Sequence, residues 1–169
     1  MSHAAITLRP AVQRDAHAIA LMSREYIEQG LGWKYDPARV QATIRRRDMS
    51  VLTAFDRGTL AGFAMMEFRD ERAHLVLLAV RPTHRRRGIG RRMFEWLLES
   101  ALTAGIESMH LEMRVGNDAA RRFYRALGFS ETIVIPRYYG GSEAALRMIR
   151  VLRAAAPQAV AWRPPEHWR

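Results

Sequence analysis

The chain has 169 residues, 49% of them hydrophobic and 26% charged, which suits one domain with a full core and is short for two. It contains no cysteine, which excludes a disulfide framework, a thiolate nucleophile and a thiolate metal site. The net charge is +10, but of the 27 basic residues only Lys34 is a lysine and the arginines run along the whole chain. That distribution disfavours nucleic acid as the main ligand and favours acidic partners such as a phosphorylated cofactor.

In chain order, Ile6–Arg9 reads as a short strand ended by Pro10. Asp15 is placed to cap a helix running to about Gln29, which Gly30 and Gly32 end. A loop containing Trp33 and Tyr35 leads to a second helix from Pro37 to about Arg47. Val51–Phe55, Leu60–Phe68 and Arg72–Val80 read as strands joined by the turn sequences D-R-G-T and R-D-E-R. The next helix, over Gly88–Gly105, repeats apolar residues at Ile89, Met93, Trp96, Leu97 and Leu102, a stripe expected to face the core. A strand at Ser108–Val115, a helix from Ala119 to Leu127, and strands at Phe129–Ile135 and Ala144–Val151 complete the pattern. The order predicts a single α/β domain over 1–153, with a mixed, mostly antiparallel sheet flanked by helices. Residues 154–169 hold Pro157, Pro164 and Pro165 without periodicity and read as a C-terminal extension.

No apolar run reaches the roughly 18 residues of a membrane span, so no membrane partner is expected. The N-terminus has neither the charged start nor the apolar stretch of a secretory signal, so the expected location is cytoplasmic. The six histidines are scattered and show no metal-ligand spacing.

The chemistry concentrates in L-L-A-V-R-P-T-H-R-R-R-G-I-G, Leu77–Gly90. An apolar strand ends, Pro82 breaks it, and an arginine- and glycine-rich turn opens a helix. A helix start leaves its first N–H groups unpaired and so builds an anion site. Gly88 and Gly90 are read as letting a polyphosphate approach the main chain. A dinucleotide fingerprint needs a further glycine where Met93 stands, and a P-loop needs Gly-Lys-Ser/Thr, so neither fits.

Two motifs resemble the GCN5-related N-acetyltransferases. R-R-R-G-I-G at Arg85–Gly90 is similar to that family's Q/R-x-x-G-x-G/A loop, and N-D-A-A-R-R-F-Y-R-A-L-G-F at Asn117–Phe129 is similar to its N-x-x-A-x-x-x-Y-x-x-x-G-F signature. Within the family, L-E-M-R-V-G-N-D-A-A and Y-Y-G-G-S-E-A-A-L-R-M are most similar to segments of the ribosomal-protein N-terminal acetyltransferases, although many members carry Gln where Arg85 stands. The resemblance implies acetyl-CoA as cofactor, with its pyrophosphate on Arg85, Arg86, Arg87, Gly88, Ile89, Gly90 and Arg91, its pantetheine arm beside Leu78, Ala79 and Val80, and a contact to Asn117. It implies direct transfer to a primary amine, either a protein N-terminus or a small molecule such as a polyamine or aminoglycoside, and makes a homodimer a candidate assembly.

Tyr124 occupies the place of the family's acid, the competing reading being a core tyrosine beside Phe123 and Leu127. Glu112 matches the position of the base in the ribosomal-protein branch, although strand alternation also suits a solvent-facing carboxylate. His74 stands where other branches carry a glutamate, and water is a third carrier for the proton. Trp33, Tyr35, Tyr138 and Tyr139 lie in two loops and are candidates to wall the acceptor site, with packing as the alternative. A non-catalytic basic module that binds nucleic acid or ribosomes is the reading from another class.

Overall fold

The computed structural model describes residues 5–153; the expected extension at 154–169 lies outside them. Seven strands form one sheet: β1 (Thr7–Pro10), β2 (Met49–Asp56), β3 (Thr59–Arg69), β4 (Arg72–Val80), β5 (Ser108–Arg114), β6 (Ser130–Tyr139) and β7 (Glu143–Val151). Their spatial order is β1-β2-β3-β4-β5-β7-β6, and every neighbouring pair is antiparallel except β4–β5. Four helices cover the sheet: α1 (Ala16–Tyr26), α2 (Pro37–Arg45), α3 (Ile89–Thr103) and α4 (Asp118–Ala126).

The apolar side chains divide into two cores. Ile19, Met22 and Val40 from α1 and α2 pack with Phe63, Met65, Leu77 and Ala79. Met93, Phe94, Leu97, Tyr124 and Leu127 from α3 and α4 pack with Ala64, Met66, Ala73 and Leu75 on the other face. From Phe63 to Met66 successive residues of β3 point to opposite faces, as strand geometry requires. On β4 the alternation breaks. The register steps from Met65↔Leu77 to Met66↔Leu75, leaving Val76 as the extra residue of a β-bulge. Ala73 and Leu75 therefore face the α3–α4 core, whereas Leu77 and Ala79 face the α1–α2 core.

The break that matters for a site lies between β4 and β5. Their parallel ladder spans only Arg72↔Ser108, Ala73↔Met109 and His74↔His110. Beyond it β4 stays paired with β3 to Val80 and β5 stays paired with β7 to Arg114. The two strands are thus held on their outer edges and part from each other, opening a V in the middle of the sheet.

Three sequence expectations shift. Asp15 does not cap α1; its carboxylate accepts the Val12 N–H (2.8 Å) and both Arg9 Nη groups (2.7 and 3.0 Å). The Arg9 guanidinium accordingly holds the Asp15 carboxyl below its ordinary range. The buried stripe of α3 runs through Ile89, Met93, Phe94, Leu97 and Ala101, leaving Trp96 40% and Leu102 37% exposed. Phe94 turns the stripe because its ring packs edge-to-face on Phe129 at 5.6 Å. Finally, β6 continues past Ile135 to Tyr139, so Tyr138 and Tyr139 end a strand rather than sit in a loop.

Candidate active site

A cleft of about 1860 Å³ passes through the V and is lined by Leu75–Val80 on one arm and Leu111–Arg114 on the other. At the end of β4 it meets the start of α3. Arg92 N–H makes the first helical bond, to Gly88 O at 3.0 Å, and no side chain caps the helix. The N–H groups of Ile89, Gly90 and Arg91 are therefore left for another acceptor, with the helix dipole behind them. Gly88 adopts φ 74° and Arg86 φ 60°, so the approach to the helix turns through left-handed backbone. Gly90 serves a different purpose from the one expected of it. A Cβ there would meet Phe123 Cζ at 3.1 Å, so the missing side chain seats α3 against α4 rather than making room for a phosphate.

The arginines of this loop divide. Arg85, Arg86 and Arg91 line the cleft. Arg85 Nε donates to the Val80 carbonyl at 3.1 Å, while the inner edge of β4 from Leu75 to Ala79 has no strand partner among the described residues. Arg87 does not face the cleft; its Nη1 donates to Asp56 at 3.1 Å, beside His84 at 3.2 Å. Leu78, Ala79, Val80, Gly88, Ile89 and Gly90 all line the cleft, as does Asn117. Asn117 also caps α4, its Oδ1 accepting the Ala120 N–H at 3.1 Å.

Tyr124 reaches the cleft from the α3–α4 side and is otherwise buried, packed edge-to-face with Phe123 and Phe129. Burial pushes its phenol far above the ordinary value, so it keeps its proton throughout the physiological range.

Glu112 and His74 reach the cleft from the opposite face, the face of α1 and α2, because they alternate with core residues on β5 and β4. The structure joins them: His74 Nε2 lies 2.5 Å from Glu112 Oε2. The other carboxylate oxygen accepts Arg147 Nε at 2.9 Å, from the residue directly opposite Glu112 on β7. His74 foremost, then Arg147, holds the Glu112 carboxyl below its ordinary range against the cost of burial. An ionised Glu112 can only accept from Nε2, and in the neutral imidazole so arranged His74 Nδ1 is a proton acceptor.

The same face carries the wall opposite. Tyr138 and Tyr139 line the cleft as an edge-to-face pair at 4.9 Å, and burial raises both phenols, Tyr139 to about 12. Trp33 does not reach the cleft. It packs on the α1–α2 core, donates Nε1–H to Ala20 O at 3.2 Å and lies under the Arg24 guanidinium. Tyr35 does line the cleft, and so does its neighbour Lys34.

Two further residues shape this wall and were absent from the sequence expectations. Arg114 donates to Glu143 at 2.7 Å and to the carbonyls of Ile27 and Gln29 at 3.1 and 2.6 Å, tying the α1–α2 loop to β5 and β7. Glu28 is buried and accepts the Ser23 hydroxyl and the N–H groups of Lys34 and Tyr35. Arg114 had a signal, since it follows Glu112 by two residues and so shares its face. Glu28 had none, because its partners are the Ser23 hydroxyl and two backbone N–H groups of a loop, which no local pattern links to it.

The sequence profile of the acetyltransferase (GNAT) family matches residues 16–129. A ribosomal protein bS18-alanine N-acetyltransferase of Salmonella typhimurium is 40% identical over 88 residues, 52% of this chain and 58% of its own length. An N-alpha-acetyltransferase of Sulfurisphaera tokodaii is 34% identical over 79 residues, 46% of this chain and 47% of its own. The chain thus spans about half the length of the curated relatives it matches. In structure it is similar to Ard1 from Thermoplasma volcanium, with a TM-score of 0.80 at 26% identity over 89% of this chain and 99% of that one. The profile match takes in α1 through α4, both arms of the V and the uncapped start of α3. The chain belongs to the acetyltransferase (GNAT) family.

Proposed function

We propose that this chain transfers the acetyl group of acetyl-CoA directly to a primary amine, the α-amine of a protein or peptide N-terminus, and that it does so in the cytoplasm. One observation carries the reading: a single opening in the sheet has an unpaired strand edge leading to an uncapped helix start, a protonated phenol on one face and an acid–imidazole pair on the other. The unpaired edge from Leu75 to Ala79 suits a ligand that carries amides, which can hydrogen-bond as an added strand does. The N–H groups of Ile89, Gly90 and Arg91, with Arg85 and Arg86 beside them, suit a pyrophosphate. Acetyl-CoA supplies an activated acyl thioester and, in its two amides and its phosphates, groups that these residues fit.

The chain's own groups divide the proton work. The Glu112–His74 pair takes a proton from the amine at His74 Nδ1, with the Glu112 carboxylate stabilising the imidazolium that forms. Tyr124 holds the proton that a departing thiolate needs, and its raised pKa keeps that proton in place until then. An α-amine, with a reference pKa of about 7.7–8.0, is partly neutral at physiological pH, whereas a lysine at about 10.4 needs a stronger base. The relatives named for alanine and N-alpha acetylation point the same way.

A polycationic acceptor finds little support. Glu67 lines the cleft but is held between Arg46 (2.6 Å) and Arg69 (3.0 Å), while Asp70 and Glu71 form the β3–β4 turn outside it. The test is a thiol-release assay with acetyl-CoA against N-terminal peptides, lysine side-chain peptides, polyamines and aminoglycosides. Thiol release that depends on a free peptide α-amine is expected. Release only with polyamines or aminoglycosides overturns the acceptor, and no release with any amine, together with steeply salt-dependent RNA binding, favours the binding-module reading.

A further inference from the structure

The acceptor end of the cleft holds more cations than carboxylates to answer them. Each carboxylate lining it is already engaged: Glu67 by Arg46 and Arg69, Glu112 by Arg147 and His74, Glu143 by Arg114, and Glu28 by the Ser23 hydroxyl and two backbone N–H groups. Asp36, close by in sequence, uses Oδ1 to cap α2 through the Arg39 N–H at 2.8 Å. Lys34 and Arg39 line the same end, both exposed, and neither forms an ion pair among the described residues. Arg39 is not loose: its guanidinium lies over the Tyr35 ring, 5.0 Å from the centroid. Lys34 is anchored at its backbone by Glu28, so both cations project from a fixed wall.

Resting on the acetyltransferase reading above, we propose that the preferred acceptor is a peptide α-amine followed within its first few residues by Asp or Glu, whose carboxylate is met by Lys34 and Arg39. One physical effect favours such an acceptor. Its carboxylate answers charges that nothing else in the wall answers, whereas a basic peptide adds like charge to the mouth.

The test measures kcat/KM of the full chain, at low and high salt, for peptides that share an N-terminal alanine and differ only by acidic, neutral or basic residues at positions two to four. The acidic peptide is expected to exceed the basic one by about tenfold, the scale of two exposed ion pairs, with the ratio shrinking as salt rises. In the K34Q/R39Q double variant the ratio falls towards one. Equal use of all three peptides, preference for the basic one, or an acidic preference that survives the double substitution each overturns the proposal. Should the double variant fold poorly, the salt series on the unaltered chain decides alone, and an acidic preference that does not shrink with salt overturns the proposal. Turnover of no peptide at all overturns the N-terminal acceptor itself, and this inference with it; turnover without charge preference overturns this inference alone.

Discussion

At the scale of single residues, Tyr124 combines a closed apolar environment with an open edge on the cleft. A structural tyrosine so buried would be expected to satisfy its hydroxyl within the fold. Tyr124→Phe therefore keeps the packing and removes only the proton donor. It is expected to lower kcat by about 10²-fold or more while acetyl-CoA affinity, read by isothermal titration, stays within about twofold. Because burial raises the phenol's pKa, the rate of the unaltered chain is expected to show no alkaline fall from this group up to about pH 10. Glu112 gives a prediction on stability. Its carboxyl is held below the ordinary glutamate value of 4.5 by His74 and Arg147, so its contribution is complete above that value and is lost as pH falls through the lowered one. Melting temperatures measured from neutral pH down to about pH 3 fall less steeply below 4.5 in Glu112→Gln than in the unaltered chain. The two base candidates, being in contact, are expected to act as one unit: in a steady-state assay Glu112→Gln and His74→Ala should each lower kcat by about 10²-fold, with the double variant little worse than either single.

Among the elements, Arg114 acts as a clamp. One guanidinium on β5 bonds two carbonyls at the end of α1 and a carboxylate at the start of β7, and lies 5.6 Å from the Tyr139 ring centroid. Arg114→Met keeps the apolar stem and removes the donors. It is expected to raise the acceptor KM about tenfold with acetyl-CoA affinity unchanged, and to cost about 1–3 kcal/mol in chemical denaturation. The boundaries of β4 were readable because its apolar run, bounded by turn residues, is a local pattern. The bulge at Val76 was not, since a bulge is a mismatch between two strands and appears only when β3 is laid beside β4. The same reason hid Arg147, which meets Glu112 through the β5–β7 register. Trp33 was misplaced because an aromatic loop residue has the same sequence signature whether it walls a cleft or, as here, closes a core. Trp96 and Phe94 sit two positions apart on α3, and helical periodicity alone did not decide which of them meets Phe129.

Across the whole molecule, the proposed function rests on one interrupted ladder. Had β4 and β5 paired along their length, the sheet would be closed and Tyr124 would lie on one side of it with Glu112 and His74 on the other. The V lets groups from both faces address one volume, with the proposed cofactor end at the start of α3 and the proposed acceptor end walled by α1–α2 and β6–β7. Hydrogen exchange on the full chain, with and without saturating acetyl-CoA, tests that arrangement most directly. The amides of Leu75–Ala79 and of Ile89–Arg91 are expected to slow on addition of the cofactor, while those of β1 and β2 remain as they were. Unchanged exchange at both segments, or protection confined to other elements, would contradict the placement of the cofactor in the V.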